Sequence, residues 1–284
     1  MMAGGTGSRL APMTKVVSKH LLPVYNKPMI YYPLTTLMLC GIREILIICD
    51  SRDEDIYRSL LGDGSRWGCA FSYAKQHGAG GVAEAYVVGE SFVGSEPSTL
   101  ILGDNIFYGD RLGAVFAQAV ANNPGATIFG HHVSDPQRYG VVEYGTDLKI
   151  ISVEEKPTHP KSNWAVAGLY VYDADVVSIV KGLNRSSRGE LEITDINRAY
   201  LEAGKLNLVR LGRGYTWLDA GTPDGLLEAA EFVRTVEHRQ GYRIACPEEV
   251  AFQLGFIDRE QLARIADDHQ GSAYGAYLKE LATA

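Results

Sequence analysis

Short runs of branched apolar residues recur along the chain, separated by stretches whose apolar positions fall three and four residues apart. Glu44-Ile-Leu-Ile-Ile-Cys49 shows no alternation and predicts a strand buried on both faces. Ser98-Thr-Leu-Ile-Leu102 predicts a second buried strand, which runs straight into Gly103-Asp104-Asn105. Phe71 to Lys75 predicts a weaker strand and Thr127 to Val133 a further one. Helical spacing covers 30–39, closed by Gly41, then 53–61, ended by Gly62-Asp63-Gly64, then 82–92 and 112–122. This strand–helix alternation through residue 133 predicts an α/β fold with a doubly wound, mostly parallel sheet.

From about residue 140 the pattern changes. Val141 to Tyr144, Ile150 to Val153 and Val166 to Tyr172 predict strands joined by short turns, hence antiparallel pairing, and Leu206 to Leu211 predicts one more. After Trp217-Leu-Asp219-Ala-Gly221 the spacing is almost wholly helical, over 224–240, 247–254 and 258–267. The expected organisation is an α/β core over 1–225, with an antiparallel insertion at about 135–215, followed by a helical region over 226–284. The sequence contains no internal repeat and no low-complexity linker.

Composition narrows the choices. The 284 residues are 46% apolar and 21% charged, with net charge 27 − 34 = −7, as in an ordinary soluble domain. No Lys/Arg-rich run is present, so a nucleic acid partner is not expected, and an anionic ligand must rest on a few placed cations and backbone amides. Cys40, Cys49, Cys69 and Cys246 lack metal-site spacing and read as free, reduced thiols, which points to the cytoplasm. The opening Met-Met-Ala-Gly-Gly lacks the basic and apolar segments of a secretory leader. No apolar run nears the roughly 20 residues that span a bilayer, so no membrane partner is expected.

Candidate chemistry begins at Gly4-Gly5-Thr6-Gly7-Ser8-Arg9. It is not a dinucleotide fingerprint, which would need glycine at Leu10, and it lacks the lysine of a phosphate-binding P-loop. Its glycines allow backbone N–H groups to approach phosphate oxygens, with Arg9 supplying charge, although a plain flexible terminus fits these six residues equally well. Asp104 follows a buried strand, at the edge where parallel sheets bind ligands, and Asp219 follows another apolar run. Taken alone, either reads as a turn or helix cap. His131 and His132 fall in one strand and point to opposite faces, so they offer no zinc site.

Ser18-Lys19-His20-Leu-Leu-Pro23-Val24-Tyr25-Asn26-Lys27-Pro28-Met29 makes the chain recognisable. With the glycine-rich start it resembles the sugar-1-phosphate nucleotidyltransferases, and most nearly their glucose-1-phosphate thymidylyltransferase branch, which serves deoxysugar and rhamnose biosynthesis. Further blocks follow in family order: Leu61-Gly-Asp-Gly-Ser65, Leu102-Gly-Asp104-Asn-Ile-Phe-Tyr-Gly109, Asp135-Pro-Gln-Arg138-Tyr139-Gly140-Val-Val-Glu143, Glu154-Glu155-Lys156-Pro157, Pro160-Lys-Ser-Asn163, Arg188-Gly-Glu-Leu-Glu-Ile-Thr-Asp195 and Trp217-Leu-Asp219.

The resemblance implies transfer of a nucleotidyl group from dTTP to glucose 1-phosphate, giving dTDP-glucose and pyrophosphate with Mg²⁺ as cofactor. It places Asp104 and Asp219 on the metal positions, where two carboxylates plus phosphate oxygens suit Mg²⁺. Arg9 and Lys19 suit the triphosphate, and Lys156 and Arg188 the sugar phosphate. Tyr139, Gly140, Glu155 and Val166 match the sugar pocket, with Trp217 as a wall, and Gln76 and Gly81 match the base-reading positions. The C-terminal segment, including Tyr274-Gly275-Ala-Tyr277-Leu278, resembles the region that builds a homotetramer with an effector site.

Three departures stand out. The family opens with about four more residues before Ala-Gly-Gly, so the first strand is expected to be short. His20 replaces the usual glutamine after the lysine. The base-reading loop, usually Gln-Pro-x-Pro-x-Gly-Leu-Ala-Gln, reads Gln76-His-Gly-Ala-Gly80-Gly81-Val-Ala-Glu84, so stiff prolines give way to glycines. Two alternatives follow: an enzyme using UTP or another hexose 1-phosphate, and a nucleotide-binding regulatory relative with weakened catalysis. A nicotinamide oxidoreductase is disfavoured.

Overall fold

The computed structural model describes every residue except His77, Ala79, Leu148 and Ala284. Its strands are β1 (Met2–Ala3), β2 (Pro23–Val24), β3 (Lys27–Pro28), β4 (Glu44–Asp50), β5 (Ala70–Gln76), β6 (Ser98–Ile101), β7 (Asn105–Gly109), β8 (Ala126–His132), β9 (Gly140–Tyr144), β10 (Ile150–Glu155), β11 (Trp164–Tyr172), β12 (Leu206–Leu211) and β13 (Tyr215–Asp219). The α-helices are α1 (Tyr31–Leu39), α2 (Glu54–Leu61), α3 (Ala85–Val88), α4 (Glu90–Val93), α5 (Leu112–Ala121), α6 (Val176–Lys181), α7 (Ile193–Glu202), α8 (Pro223–Gln240), α9 (Pro247–Gln253), α10 (Arg259–Asp268) and α11 (Ala273–Thr283).

The parallel part of the sheet runs β1-β4-β5, and a single bridge from Met2 to Leu102 joins it to the remainder. There β11 lies antiparallel to β6, β8 and β9, β10 extends β9, and β12 pairs with β8 in parallel. The α/β class holds, but β6 and β8, expected in the parallel sheet, each pair antiparallel with β11, because that strand from the second half of the chain inserts between them. As the apolar run predicts, β4 is buried on both faces. Ile45, Ile47 and Cys49 join one core with Tyr31, Trp67 and Phe129, while Leu46 and Ile48 join another with Tyr86, Tyr172 and Tyr200. The C-terminal helices enter the first core through Val250, Leu262, Ile265 and Leu278.

Several elements differ from the sequence expectation. The helix expected over 82–92 is two short ones, broken at Gly89, where a Cβ would meet Ala85 O at 2.8 Å and Leu46 Cδ2 at 3.0 Å. Strands β2, β3, β7 and β13 and helices α6, α7 and α11 are additional, because their apolar runs are short or interrupted by polar residues. The first strand is only two residues long, with the Met1 ammonium donating to Leu46 O at 2.7 Å. Beside it an apolar cavity of ≈ 280 Å³ lies between β4 and β6, lined by Leu46 and Leu100 among others. All four cysteines are buried and free, as expected.

Candidate active site

A cleft of ≈ 570 Å³ opens at the carboxyl end of the parallel strands, between the loop after β1, the β5–α3 loop and the antiparallel strands. Pairing of β13 with β7 sets Asp219 opposite Asn105, and so brings Asp219 beside Asp104 across 115 residues of sequence, 219 − 104. Gly221 is the pivot of this arrangement. The point its Cβ would occupy lies 2.9 Å from Arg9 Nη2, 2.9 Å from Asp219 Oδ1 and 3.0 Å from Asp104 Oδ2. Any side chain there would wedge the three apart.

Lys19 Nζ contacts Asp104 Oδ2 at 2.5 Å, and Asn105 Nδ2 donates to Asp104 Oδ1 at 3.0 Å. Burial, the largest single effect, would raise the Asp104 pKa, but the Lys19 charge together with the other neighbouring charge and the hydrogen bonds from Lys19 and Asn105 outweighs it and holds the carboxyl well below its ordinary value. Asp219 is shifted the other way, raised by burial and then by the Asp104 charge. Two buried carboxylates that oppose each other's ionisation, both hard oxygen donors, fit a divalent cation such as Mg²⁺. No cluster of three or more His, Cys, Asp or Glu side chains able to hold a metal occurs among the described residues, so a bound ion would complete its shell from substrate oxygens or water.

The loop before these residues is the glycine-rich segment. Gly4, Gly5 and Arg9 line the cleft, while Thr6 and Ser8 are exposed between them. Gly7 is left-handed at φ 59°, and its carbonyl accepts from Thr14 Oγ1 at 2.8 Å, which ties the loop to the segment leading to Lys19.

Across the cleft stand Tyr139, Gly140, Glu155, Lys156, Val166 and Arg188. Glu155 Oε2 accepts from Thr194 Oγ1 at 2.6 Å, and Glu155 Oε1 lies 3.2 Å from Lys156 Nζ and 3.5 Å from Arg188 Nη2. Arg188 also donates to Glu192 at 2.8 Å. Trp217 lines the cleft, edge-on to Tyr139 at 4.9 Å, and its Nε1 donates to Asn105 Oδ1 at 2.6 Å. Gln76 and Gly81 line the same cleft, on the side of Gly4. Of the base loop between them, His77 and Ala79 lie outside the described residues.

The structure adds two residues that the sequence reading passed over. Asn105 Oδ1 accepts from both Trp217 and Gly168 N, the latter at 2.9 Å, while its amide nitrogen holds Asp104. It locks the carboxylate and the indole together, and its place beside Asp104 was the only hint. Arg138 also lines the cleft, bonded to Asp135 at 2.8 Å, with its other guanidinium nitrogen 3.9 Å from Asp219 Oδ2. Only the fold shows that this arginine faces the carboxylate pair.

His20 is buried, with Nδ1 at 3.3 Å from Ser18 Oγ and 3.4 Å from Tyr57 OH. Burial, reinforced by the Lys19 charge, lowers its pKa from 6.5 to about 3. Between those pH values the unfolded chain binds the extra proton, so folding stability falls as the pH drops below about 6.5. The expected slope from this group is about 1.4 kcal/mol per pH unit. His20→Gln should therefore show a smaller loss of urea stability than the parent between pH 7 and pH 5, and equal losses would contradict the assignment.

Facing carboxylates and paired cations thus line one cleft at the carboxyl edge of an α/β sheet, the edge where such folds bind ligands. A family model described as nucleotidyl transferase matches residues 1–236. A glucose-1-phosphate thymidylyltransferase of Xanthomonas campestris pv. campestris (strain B100) is 54% identical, covering 99% of this chain and 96% of its own. One from Mycobacterium tuberculosis (strain CDC 1551 / Oshkosh) is 52% identical, covering 99% and 97%. A Bacillus anthracis chain assigned as a glucose-1-phosphate thymidylyltransferase and crystallised with a sucrose aligns at TM-score 0.76 and 45% identity, over 82% of this chain and 93% of that one. A UDP-glucose pyrophosphorylase shares the fold at TM-score 0.72 and 24% identity, over 83% and 97%. The chain belongs to the nucleotidyl transferase family and, within it, to the glucose-1-phosphate thymidylyltransferase enzymes.

Proposed function

We propose that the cleft transfers the thymidylyl group of dTTP to glucose 1-phosphate, giving dTDP-glucose and pyrophosphate. The observation that carries this reading is the convergence of Arg9, Asp104 and Asp219 around Gly221, facing a second cationic group at Lys156 and Arg188. A phosphate oxygen of the sugar phosphate forms the new bond to the α-phosphorus, and the bond from that phosphorus to the β-phosphate bridging oxygen breaks. No protein nucleophile is required, so the residues act by positioning and charge.

Arg9 and the glycine-loop amides hold the triphosphate, and Lys19 balances charge beside Asp104. Lys156 and Arg188 bring the sugar phosphate into line, Glu155 accepts from hexose hydroxyls, and Tyr139, Gly140, Val166 and Trp217 shape that pocket. Asp104 and Asp219 are the residues that would hold Mg²⁺, which when bound supplies positive charge against the triphosphate. Gln76 and Gly81 read the pyrimidine edge.

Support for a homotetramer is the family resemblance together with exposed Leu227, Tyr242 and Leu254 in the C-terminal helical region. The division into a core over 1–225 and an interface region over 226–284 belongs to the same reading, as does a cytoplasmic location. No helix among the described residues is long and apolar enough to cross a membrane.

Lys156→Ala should raise KM for glucose 1-phosphate by about tenfold or more while changing that for dTTP by less than about threefold, because the lost cation faces the second substrate. Initial-rate kinetics with each substrate varied in turn checks this, and equal loss for both would contradict the role.

Thymine and uracil share the N3–H and O4 edge, so UTP should be used within about two orders of magnitude of dTTP in kcat/KM, with ATP and GTP poor. Competition assays test this. Complete rejection of UTP, or strong purine use, would overturn it.

A further inference from the structure

Gln76 is buried at the end of β5, and its amide nitrogen donates to Glu84 Oε2 at 2.8 Å, with Gly81 O at 3.5 Å. A carboxylate and a backbone carbonyl are both acceptors only, so chemistry fixes the amide: its nitrogen faces Glu84 and its oxygen faces away. That oxygen lies against Gly4, in space a Cβ would claim, and Gly4 and Gln76 both line the cleft. Glu84 is itself held in place. Arg185 Nη2 donates to Glu84 Oε1 at 3.1 Å, while Nη1 donates to Gly80 O at 3.3 Å and Gly189 O at 2.8 Å. The Glu84 carboxylate packs directly on Gly80, where any Cβ would overlap it. Glycine at 80 and glutamate at 84 therefore form one device, clamped by Arg185.

We infer that Glu84 is a positioning residue for base choice: by fixing the Gln76 amide it sets the cleft to accept a ring N–H, and so to admit 4-oxopyrimidines and reject 4-aminopyrimidines. This deepens the reading above and rests on Gln76 facing the base. Thymine and uracil offer N3–H as donor, which the amide oxygen can accept while the amide hydrogens stay with Glu84 and Gly81 O. Cytosine offers N3 as acceptor and an amino group as donor. It can pair only with a flipped amide, which would turn the Gln76 oxygen onto the Glu84 carboxylate and leave two buried acceptors facing each other.

The test is the ratio of kcat/KM for dTTP to that for dCTP, each with glucose 1-phosphate, in the full-length protein and variants checked for an unchanged thermal midpoint. Glu84→Gln should lower the dTTP:dCTP ratio by about tenfold or more, chiefly through KM for the two nucleotides. Gly80→Ala, which displaces the carboxylate without altering its chemistry, should lower the ratio in the same direction, and it decides the matter if Glu84→Gln does not fold. Gln76→Ala separates the two layers of the argument. If Gln76→Ala lowers the ratio but both other variants keep it within twofold, the role of Glu84 is overturned while Gln76 remains the base reader. If Gln76→Ala leaves the ratio unchanged, the base-facing reading itself fails and the inference with it.

Discussion

Asp104→Asn and Asp219→Asn are each expected to lower kcat by about two orders of magnitude or more while leaving the fold intact. The substitution keeps side-chain size but removes one negative charge from a pair held around Gly221. At Asp104 it also leaves the Lys19 ammonium, 2.5 Å away, without its carboxylate. The fold should survive because the oxygen of the substituted amide can still accept the bonds that each carboxylate accepts now. Apart from the Lys19 contact that is lost, those are the bond from Asn105 Nδ2 to Asp104 and the bond from Gly221 N to Asp219, both 3.0 Å long. Steady-state turnover across a Mg²⁺ series, with circular dichroism as the fold control, checks both. Near-normal activity of either variant at low Mg²⁺ would contradict the paired-carboxylate site.

The second large effect is on stability. Glu237→Ala should cost about 3–5 kcal/mol, since it strands a buried charge. Lys27 Nζ lies 2.9 Å from Glu237 Oε1, and both side chains are only 2% exposed. The same carboxylate also accepts from Asn26 Nδ2 at 2.7 Å, Arg243 Nη1 at 2.8 Å and Ile244 N at 2.9 Å. It thus ties the β2–β3 hairpin, just after the Lys19 segment, to helix α8 and the chain that follows it. Urea unfolding of the variant measures the loss, and a change below about 1 kcal/mol would show that the pair is not the brace described.

How far the sequence could reveal this depends on the range of the interaction. Strand β4 was legible because five consecutive residues, Ile45 to Cys49, carry an unbroken apolar signal, and both its faces are indeed buried. Asp104, taken alone, read as a turn or cap, and it was the family resemblance that set it in one site with Arg9, Lys19 and Glu155, all four of which line one cleft. Lys27 sat in the recognised motif without a role, because its partner Glu237 is 210 residues away and only folding brings them together. The same holds for Arg138 and Asp219, and for Trp217 and Asn105, 112 residues apart. The split of the helix expected over 82–92 depends on close packing of Gly89 against Leu46, a contact that periodicity along one segment does not encode.

The central claim is tested most directly by pyrophosphate release from dTTP in the presence of glucose 1-phosphate and Mg²⁺. Pyrophosphate and dTDP-glucose should appear in equal amounts, dependent on both substrates, and both products should be nearly lost in Asp104→Asn. Absence of pyrophosphate from a folded protein that still binds dTTP would contradict that claim, and would favour a nucleotide-binding relative without catalysis.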